Sequence, residues 1–442
     1  LARIVLATIG SLGDLHPCLA IGRELLRRGH TVTVATTDIY RDRVERLGLR
    51  FAPIRPDWSP QTEETIRRCA DLRRGPEILF RELVVPHVEA SYHDLLAVCR
   101  ESDLLVAGEI VFAAPLVAQK LGLPWASLIL APSSLLSACD PSVLPGLEPP
   151  RWAGVAFQRM LLRMVRLAMR NWWEPIHRLR RQQGLPASRH PFFEDKFSPH
   201  LVLAMFSPAF AHRQPDWPAN TAQPGFAFFD NAAATSDQQL NRLYQRLAEF
   251  LDEGEPPVVL TLGSTAVINP GNFFSEGLQA VRSLGLRAVL LGAPEPESDA
   301  PQPDAAESGA TRETSASRDV FRAAYAPYSQ VFPRAAAVVH QGGAGTTAQA
   351  LLAGCPMLAV PYGWDQPDNG ARVARLGAGL TLARHRFNTK RVAASLARLT
   401  GEPGFRRRAQ EISREMAAET GASTAVAQLE TLLTASPQTP RA

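Results

Sequence analysis

The chain has 442 residues, 47 Lys and Arg against 43 Asp and Glu, a formal net charge of +4, and 45% hydrophobic residues. So small a net charge excludes the electrostatic footprint of a nucleic-acid binder, and the 7 Trp form no ladder with the scattered Arg. The length exceeds what one core usually holds, so two domains are expected. No apolar run reaches the roughly 18–20 residues that span a bilayer.

The five cysteines (18, 69, 99, 139 and 355) sit mostly inside apolar runs, without CxxC or Cys/His spacing, and read as reduced thiols. No metal site is visible, and none is expected. The chain opens on an apolar run without a charged n-region, so no leader is expected, and a cytoplasmic protein is the reading.

In chain order, Arg3 to Ile9 predicts a strand and Cys18 to Arg28 a helix, with the glycine-containing loop Gly10 to Pro17 between them. That loop lacks GxGxxG spacing, so it is no dinucleotide fingerprint. Thr31 to Thr36 is a strand, Asp42 to Leu47 a helix and Phe51 to Ile54 a short strand. Strands at Leu104 to Ala107 and Trp125 to Ile129 flank a helix at Ala113 to Leu121. Residues 151–170 carry Arg159, Arg163, Arg166 and Arg170 at helical spacing among Met, Leu and Val. This basic amphipathic helix could rest on an anionic membrane, receive a fatty carboxylate-bearing acceptor, or be a solvated arginine stripe on a packed helix.

The rhythm restarts beyond residue 250, with strands at Val258 to Leu262, Ala288 to Leu291, Ala337 to His340 and Met357 to Val360. Alternating strands and helices imply parallel sheets covered on both faces. The fold class is therefore α/β, with two Rossmann-like doubly wound domains facing across a cleft: 1–222, a linker at 223–240, and 241–442. Residues 293–318 are Pro, Ala, Ser and acid, and read as a mobile surface insertion. The last helix, about 405–433, could pack back on the first domain.

Val338 to Asn369 is the most informative stretch. A strand ends at His340, a turn with Gly342, Gly343 and Gly345 follows, and Thr346 and Thr347 open a helix. This is an anion seat built from backbone N–H groups and a helix dipole. A second strand ends near Pro361, followed by Trp364, Asp365 and Gln366, whose polar side chains can grip sugar hydroxyls. Both groups fall at carboxyl ends of strands, where open α/β sheets bind ligands.

This segment resembles the donor-binding signature of the UDP-glycosyltransferase superfamily, family 1, of GT-B fold. The likeness covers nearly the whole chain. The stretches YRDRVERLGLRFAPI, LAPSSLLSA and AYAPYSQVFPRAAAVVHQGGAG are similar to the bacterial branch that includes the rhamnolipid rhamnosyltransferase.

The resemblance implies that His340, Gly343, Thr346 and Thr347 hold the donor diphosphate, with His340 neutralising charge, and that Asp365 and Gln366 hold the sugar. Ser264 and Thr265 would abut the phosphates. Tyr325 would stack on the nucleobase, with core filler as the alternative, and Trp364 would wall the sugar. Asp14, three residues before Pro17, takes the position of the general base, with capping of a helix beginning at Pro17 as the other reading. His16 is the rival base. Glu109 would assist His16 or touch acceptor, with a solvated loop carboxylate as the other reading, and Phe112, Ser133 and Ser134 would line the acceptor site.

The implied reaction is inverting transfer of a sugar from a UDP- or dTDP-linked donor to a hydroxyl of a small lipophilic acceptor, without cofactor or metal. Rhamnosyl transfer to a hydroxy-fatty acid comes first. Glucosyl transfer to a flavonoid, macrolide or sterol-like acceptor is the alternative. A sugar-nucleotide epimerase or hydrolase and a non-catalytic binding module stay open.

Overall fold

The computed structural model describes residues 1–57, 63–69, 71, 74–144, 148–229, 238–263, 266–293 and 319–435. Ser264, Thr265 and the expected insertion beyond Ala293 lie outside them.

Two parallel sheets organise the chain. The first holds β1 (Arg3–Ala7), β2 (Thr31–Thr36), β3 (Arg50–Pro53), β4 (Leu104–Gly108), β5 (Trp125–Ile129), β6 (Leu201–Ala204) and β7 (Thr221–Ala222), in spatial order β3-β2-β1-β4-β5-β6-β7. The second holds β8 (Val258–Thr261), β9 (Ala288–Leu291), β10 (Val320–Ala323), β11 (Ala337–His340), β12 (Met357–Ala359) and β13 (Gly379–Thr381), in order β10-β9-β8-β11-β12-β13. Every pairing is parallel: Val5 lies opposite Thr33 and Leu105, and Val338 opposite Val259 and Met357. The central strands are buried at every residue from Ile4 to Ala7 and from Ala337 to His340, as a sheet with helices on both faces requires. The doubly wound α/β reading therefore holds for both sheets.

Two expected helices differ. The first starts at Leu12 and runs to Arg27, earlier than Cys18. Ser11 caps it, accepting from the Gly13 N–H at 3.1 Å, while the Asp14 carboxylate reaches back to the Ser11 N–H at 2.8 Å. Pro17 lies inside the helix, where its ring leaves the Gly13 carbonyl without its i+4 N–H partner. The last helix is two helices, Pro403–Ala417 and Gly421–Ala435. The break brings Gly421 so close to Phe226 that a Cβ there would lie 2.2 Å from the Phe226 carbonyl oxygen. Glu419 in the break accepts from the Ser207 hydroxyl. The final helix then packs on the first sheet's side, burying Ala425, Val426 and Leu429 beside Leu19 and Ile21. Arg28 reaches Glu430 at 2.7 Å.

One apolar cluster joins both sheets, from Ile129, Phe206 and Phe226 to Val259, Phe321 and Val338.

Candidate active site

Each sheet reverses its winding at one place: between β1 and β4 in the first, and between β8 and β11 in the second. Connections leave these neighbouring strands in opposite directions, opening a crevice at their carboxyl ends. Asp14 follows β1, Glu109 follows β4, and the glycine turn follows β11.

The loop after β1 is shaped around one carboxylate. Gly10 has φ +131°, and a Cβ there would lie 2.4 Å from Asp14 Oδ2. Only glycine lets that carboxylate fold back over the loop. Oδ2 accepts from both the N–H and the hydroxyl of Ser11, at 2.8 and 3.1 Å, which leaves Oδ1 for a substrate proton. Capping is thus carried by Oδ2, and Oδ1 takes no part in it. Burial pushes its pKa up to about 7 against the pull of the Ser11 bonds, and the charges of Glu109 and Asp365 add to the rise. A carboxyl poised there can take a proton near neutrality.

Glu109 is held from two sides. The Ser134 hydroxyl donates to its Oε1 at 2.6 Å, and the Lys196 ammonium to its Oε2 at 2.9 Å. Lys196 is buried, its ammonium 4.4 Å from the centre of the Phe192 ring. Across the cleft, Asp365 Oδ2 accepts from Asn369 Nδ2 at 2.7 Å, and the same nitrogen donates to the Gly342 carbonyl at 3.0 Å. Burial raises the Asp365 pKa to about 6, opposed by the Asn369 bond and helped by Glu109 and Asp368. Trp364, just before it, has φ +55°, a strained backbone for a bulky residue.

The helix that begins after Asp365, Gln366–Arg375, is tied to the first half of the chain. Asp368 Oδ1 accepts from the Val143 N–H at 3.0 Å. Arg372 bridges Asp368 Oδ2 at 2.7 Å and Asp140 Oδ2 at 2.5 Å, and Arg151 also donates to Asp140. This network ties the helix that follows Asp365 to the segment 140–143.

The glycine turn is supported from beneath. The Gly342 N–H donates to His340 Nδ1 at 3.0 Å, and the other ring nitrogen lies 3.3 Å from Met357 Sδ. The ring is wholly buried, and burial lowers its pKa to about 3. Burial thus favours the neutral imidazole, and the contact that the structure shows for His340 is to the turn, through the Gly342 N–H. The side chains of Thr346 and Thr347 are buried, and the Thr347 hydroxyl has no partner. The open surface of the turn is its backbone. The helix Ala344–Leu352 has no side-chain cap and no acid in its first turn. A Cβ on exposed Gly345 would meet nothing within 4 Å, so the fold does not demand glycine there. Gln366 Oε1 accepts from the N–H groups of Tyr362 and Gly363 at 2.8 and 3.2 Å, so its oxygen serves the turn and its amide nitrogen is the group left for a sugar.

The remaining candidates divide. His16 is turned to Arg43, 3.3 Å from its Nε2, and to the Phe229 ring, and burial with the Arg43 charge lowers its pKa to about 4. Tyr325 is 47% exposed just beyond β10, which rules out core filler. Phe112 is buried against Phe80 and Trp173 and lines a small cavity with Ile9 and Ile110. Ser133 is half-buried beside Ser134.

Sequence reasoning missed Lys196, Asn369, Arg372 and Gln341. Gln341 packs so closely that a Cβ on Gly263 or Gly343 would lie 2.1 or 2.8 Å from its Nε2, and its buried Oε1 has no partner. Asn369 and Arg372 had a signal, the spacing of four from Asp365 and Asp368 on one helix face. Lys196 had none.

Two family models match the chain: the glycosyltransferase family 28 N-terminal domain over residues 4–119, and the erythromycin biosynthesis protein CIII-like C-terminal domain over residues 305–432. The chain is 31% identical to the O-mycaminosyltylonolide 6-deoxyallosyltransferase of Streptomyces fradiae, over 97% of each protein. It is 24% identical to a sterol 3-beta-glucosyltransferase of Debaryomyces hansenii, over 96% of this chain and 26% of that longer protein. A solved spinosyn rhamnosyltransferase complexed with thymidine diphosphate shares the fold, with a TM-score of 0.65 at 18% identity over 97% of this chain and 100% of that one. With both sheets, the crevice and a full-length relative in agreement, the chain belongs to the family 1 glycosyltransferases of GT-B fold and is a glycosyltransferase.

Proposed function

We propose that this enzyme transfers a 6-deoxyhexose from a dTDP- or UDP-linked donor to a hydroxyl of a lipophilic macrolactone or sterol-like acceptor, with inversion and with Asp14 as general base. The observation that carries this reading is the convergence of Asp14, Glu109 and Asp365, from both halves of the chain, within electrostatic reach of one another.

In this mechanism Asp14 Oδ1 accepts the acceptor's hydroxyl proton as that oxygen attacks the anomeric carbon. The bond from that carbon to the diphosphate oxygen breaks on the opposite face, and its electron pair leaves with the diphosphate. The uncapped N–H groups at Gly343 to Gly345 and the helix dipole stabilise the departing charge, so that no metal is needed. Asp365 and the Gln366 amide grip sugar hydroxyls, Tyr325 takes the nucleobase, and Glu109 and Ser134 face the acceptor. The apolar ring of Trp364 suits a C6 methyl better than a hydroxymethyl group.

The full-length relative named for a 6-deoxyallosyl transfer puts macrolactone acceptors ahead of a hydroxy-fatty acid, and rhamnose stays among the candidate 6-deoxy sugars.

The test is thermal shift with UDP, dTDP, UDP-glucose and dTDP-rhamnose, with and without magnesium, followed by mass spectrometry with macrolactone, sterol and hydroxy-fatty acid acceptors. Stabilisation by a dTDP-6-deoxyhexose and a glycosylated macrolactone or sterol without metal is the expected result. Sugar release without acceptor would replace transfer by hydrolysis. Glycosylation of the hydroxy-fatty acid alone would overturn the acceptor class.

A further inference from the structure

We propose that the helix Gly154–Ala168, with Trp152 before it, docks this protein onto an anionic lipid bilayer. One face of the helix is committed to the protein: Gln158, whose Nε2 donates to the Pro150 carbonyl at 2.8 Å, together with Leu161, Leu162 and Val165. The opposite face is exposed and divides lengthwise. At 3.6 residues per turn, Arg159 and Arg163 fall on one strip, and Met160, Met164 and Leu167 on the strip beside it, with Arg170 just beyond the helix in the 3-10 turn Arg170–Trp173. Leu167 is 65% exposed and Trp152 89%.

Charge complementarity identifies the occupant. No acidic residue occurs from Arg151 to Trp173. Arg166 pairs with Glu194 and Arg151 with Asp140, whereas Arg159, Arg163 and Arg170 have no carboxylate partner among the described residues. Arg159 and Arg163 beside a strip of unbranched and aliphatic side chains, with Arg170 following, form a cationic and apolar face with no carboxylate among its own residues. They match the interfacial arrangement, with apolar side chains in the acyl boundary and arginines extended to the lipid phosphates. The exposed Trp152, in the turn that precedes the helix, belongs at headgroup depth. The inference is independent of the donor and acceptor proposed above, since it uses none of those residues.

Co-sedimentation with phosphatidylcholine vesicles, with and without added phosphatidylglycerol, tests it. Binding to the anionic vesicles alone, released by salt, is expected, with Trp152 emission quenched by brominated lipid. The double variant R159Q/R163Q should lower the partition constant about 25-fold, about fivefold per guanidinium. The triple variant M160S/M164S/L167S should also detach while unfolding at the wild-type temperature. Equal binding to neutral vesicles, no binding, or binding unchanged in both variants would overturn the proposal. So would a dimer in solution that the serine variant dissociates without any vesicle binding, which would make the face a contact between copies.

Discussion

Asp365, at the head of a helix beside the second sheet, raises the pKa of Asp14 in the first turn of a helix beside the first sheet. Residues 351 positions apart thus share one electrostatic environment. Glu109, pinned by Lys196 and Ser134, acts on both carboxyls.

A base must be ionised to accept a proton, so with Asp14 near 7 turnover should fall as pH drops below about 7. Asp14→Asn should lower kcat by about 10²–10⁴-fold while nucleotide diphosphate still stabilises the protein. Glu109→Gln removes a negative neighbour, lowers the Asp14 pKa and should move the acid limb to lower pH. An acid limb unchanged in Glu109→Gln would separate the two residues.

Gly345 and Gly342 should respond oppositely. Gly345→Val enters open space, so thermal unfolding should stay close to wild type while stabilisation by dTDP or UDP is lost. Gly342 has φ +88° and the Gln366 carbonyl oxygen 3.1 Å from a Cβ position, so Gly342→Ala should cost about 1–3 kcal/mol of stability. Retained nucleotide binding in Gly345→Val would place the diphosphate elsewhere.

His340 is neutral well below its ordinary titration range. Binding of dTDP or UDP, measured by calorimetry in the wild type and His340→Gln, should show no step attributable to this residue between about pH 5 and 8. A step near 6.5 that vanishes in the variant would restore the charged-imidazole role.

Arg372→Met would leave Asp368 and Asp140 facing each other without their shared cation. Breaking a buried pair from one side typically costs about 3–5 kcal/mol, read here as a lower urea midpoint. Because this network ties the Asp365 helix to Val143 and Asp140, turnover should fall beyond the loss of folded protein. Wild-type turnover per folded molecule would make the network purely structural.

Local patterns in the chain determined the strands that flank each crevice, the parallel α/β order and the glycine turn, while β6, β7 and β13 emerge only in the folded sheets. Aliphatic runs, helical spacing and Gly342–Gly343 are properties of neighbouring residues, readable without knowing what packs on them. Tertiary structure decided the state of each site residue. Burial under the turn favours the neutral His340 ring, and Gly10 is required both by its positive φ and by Asp14 folding back over it. Lys196 reaches Glu109 across 87 positions, and Arg372 reaches Asp140 across 232. Burial and long-range charge fix a side chain's protonation and its partners, and both arise only when distant segments close on one another.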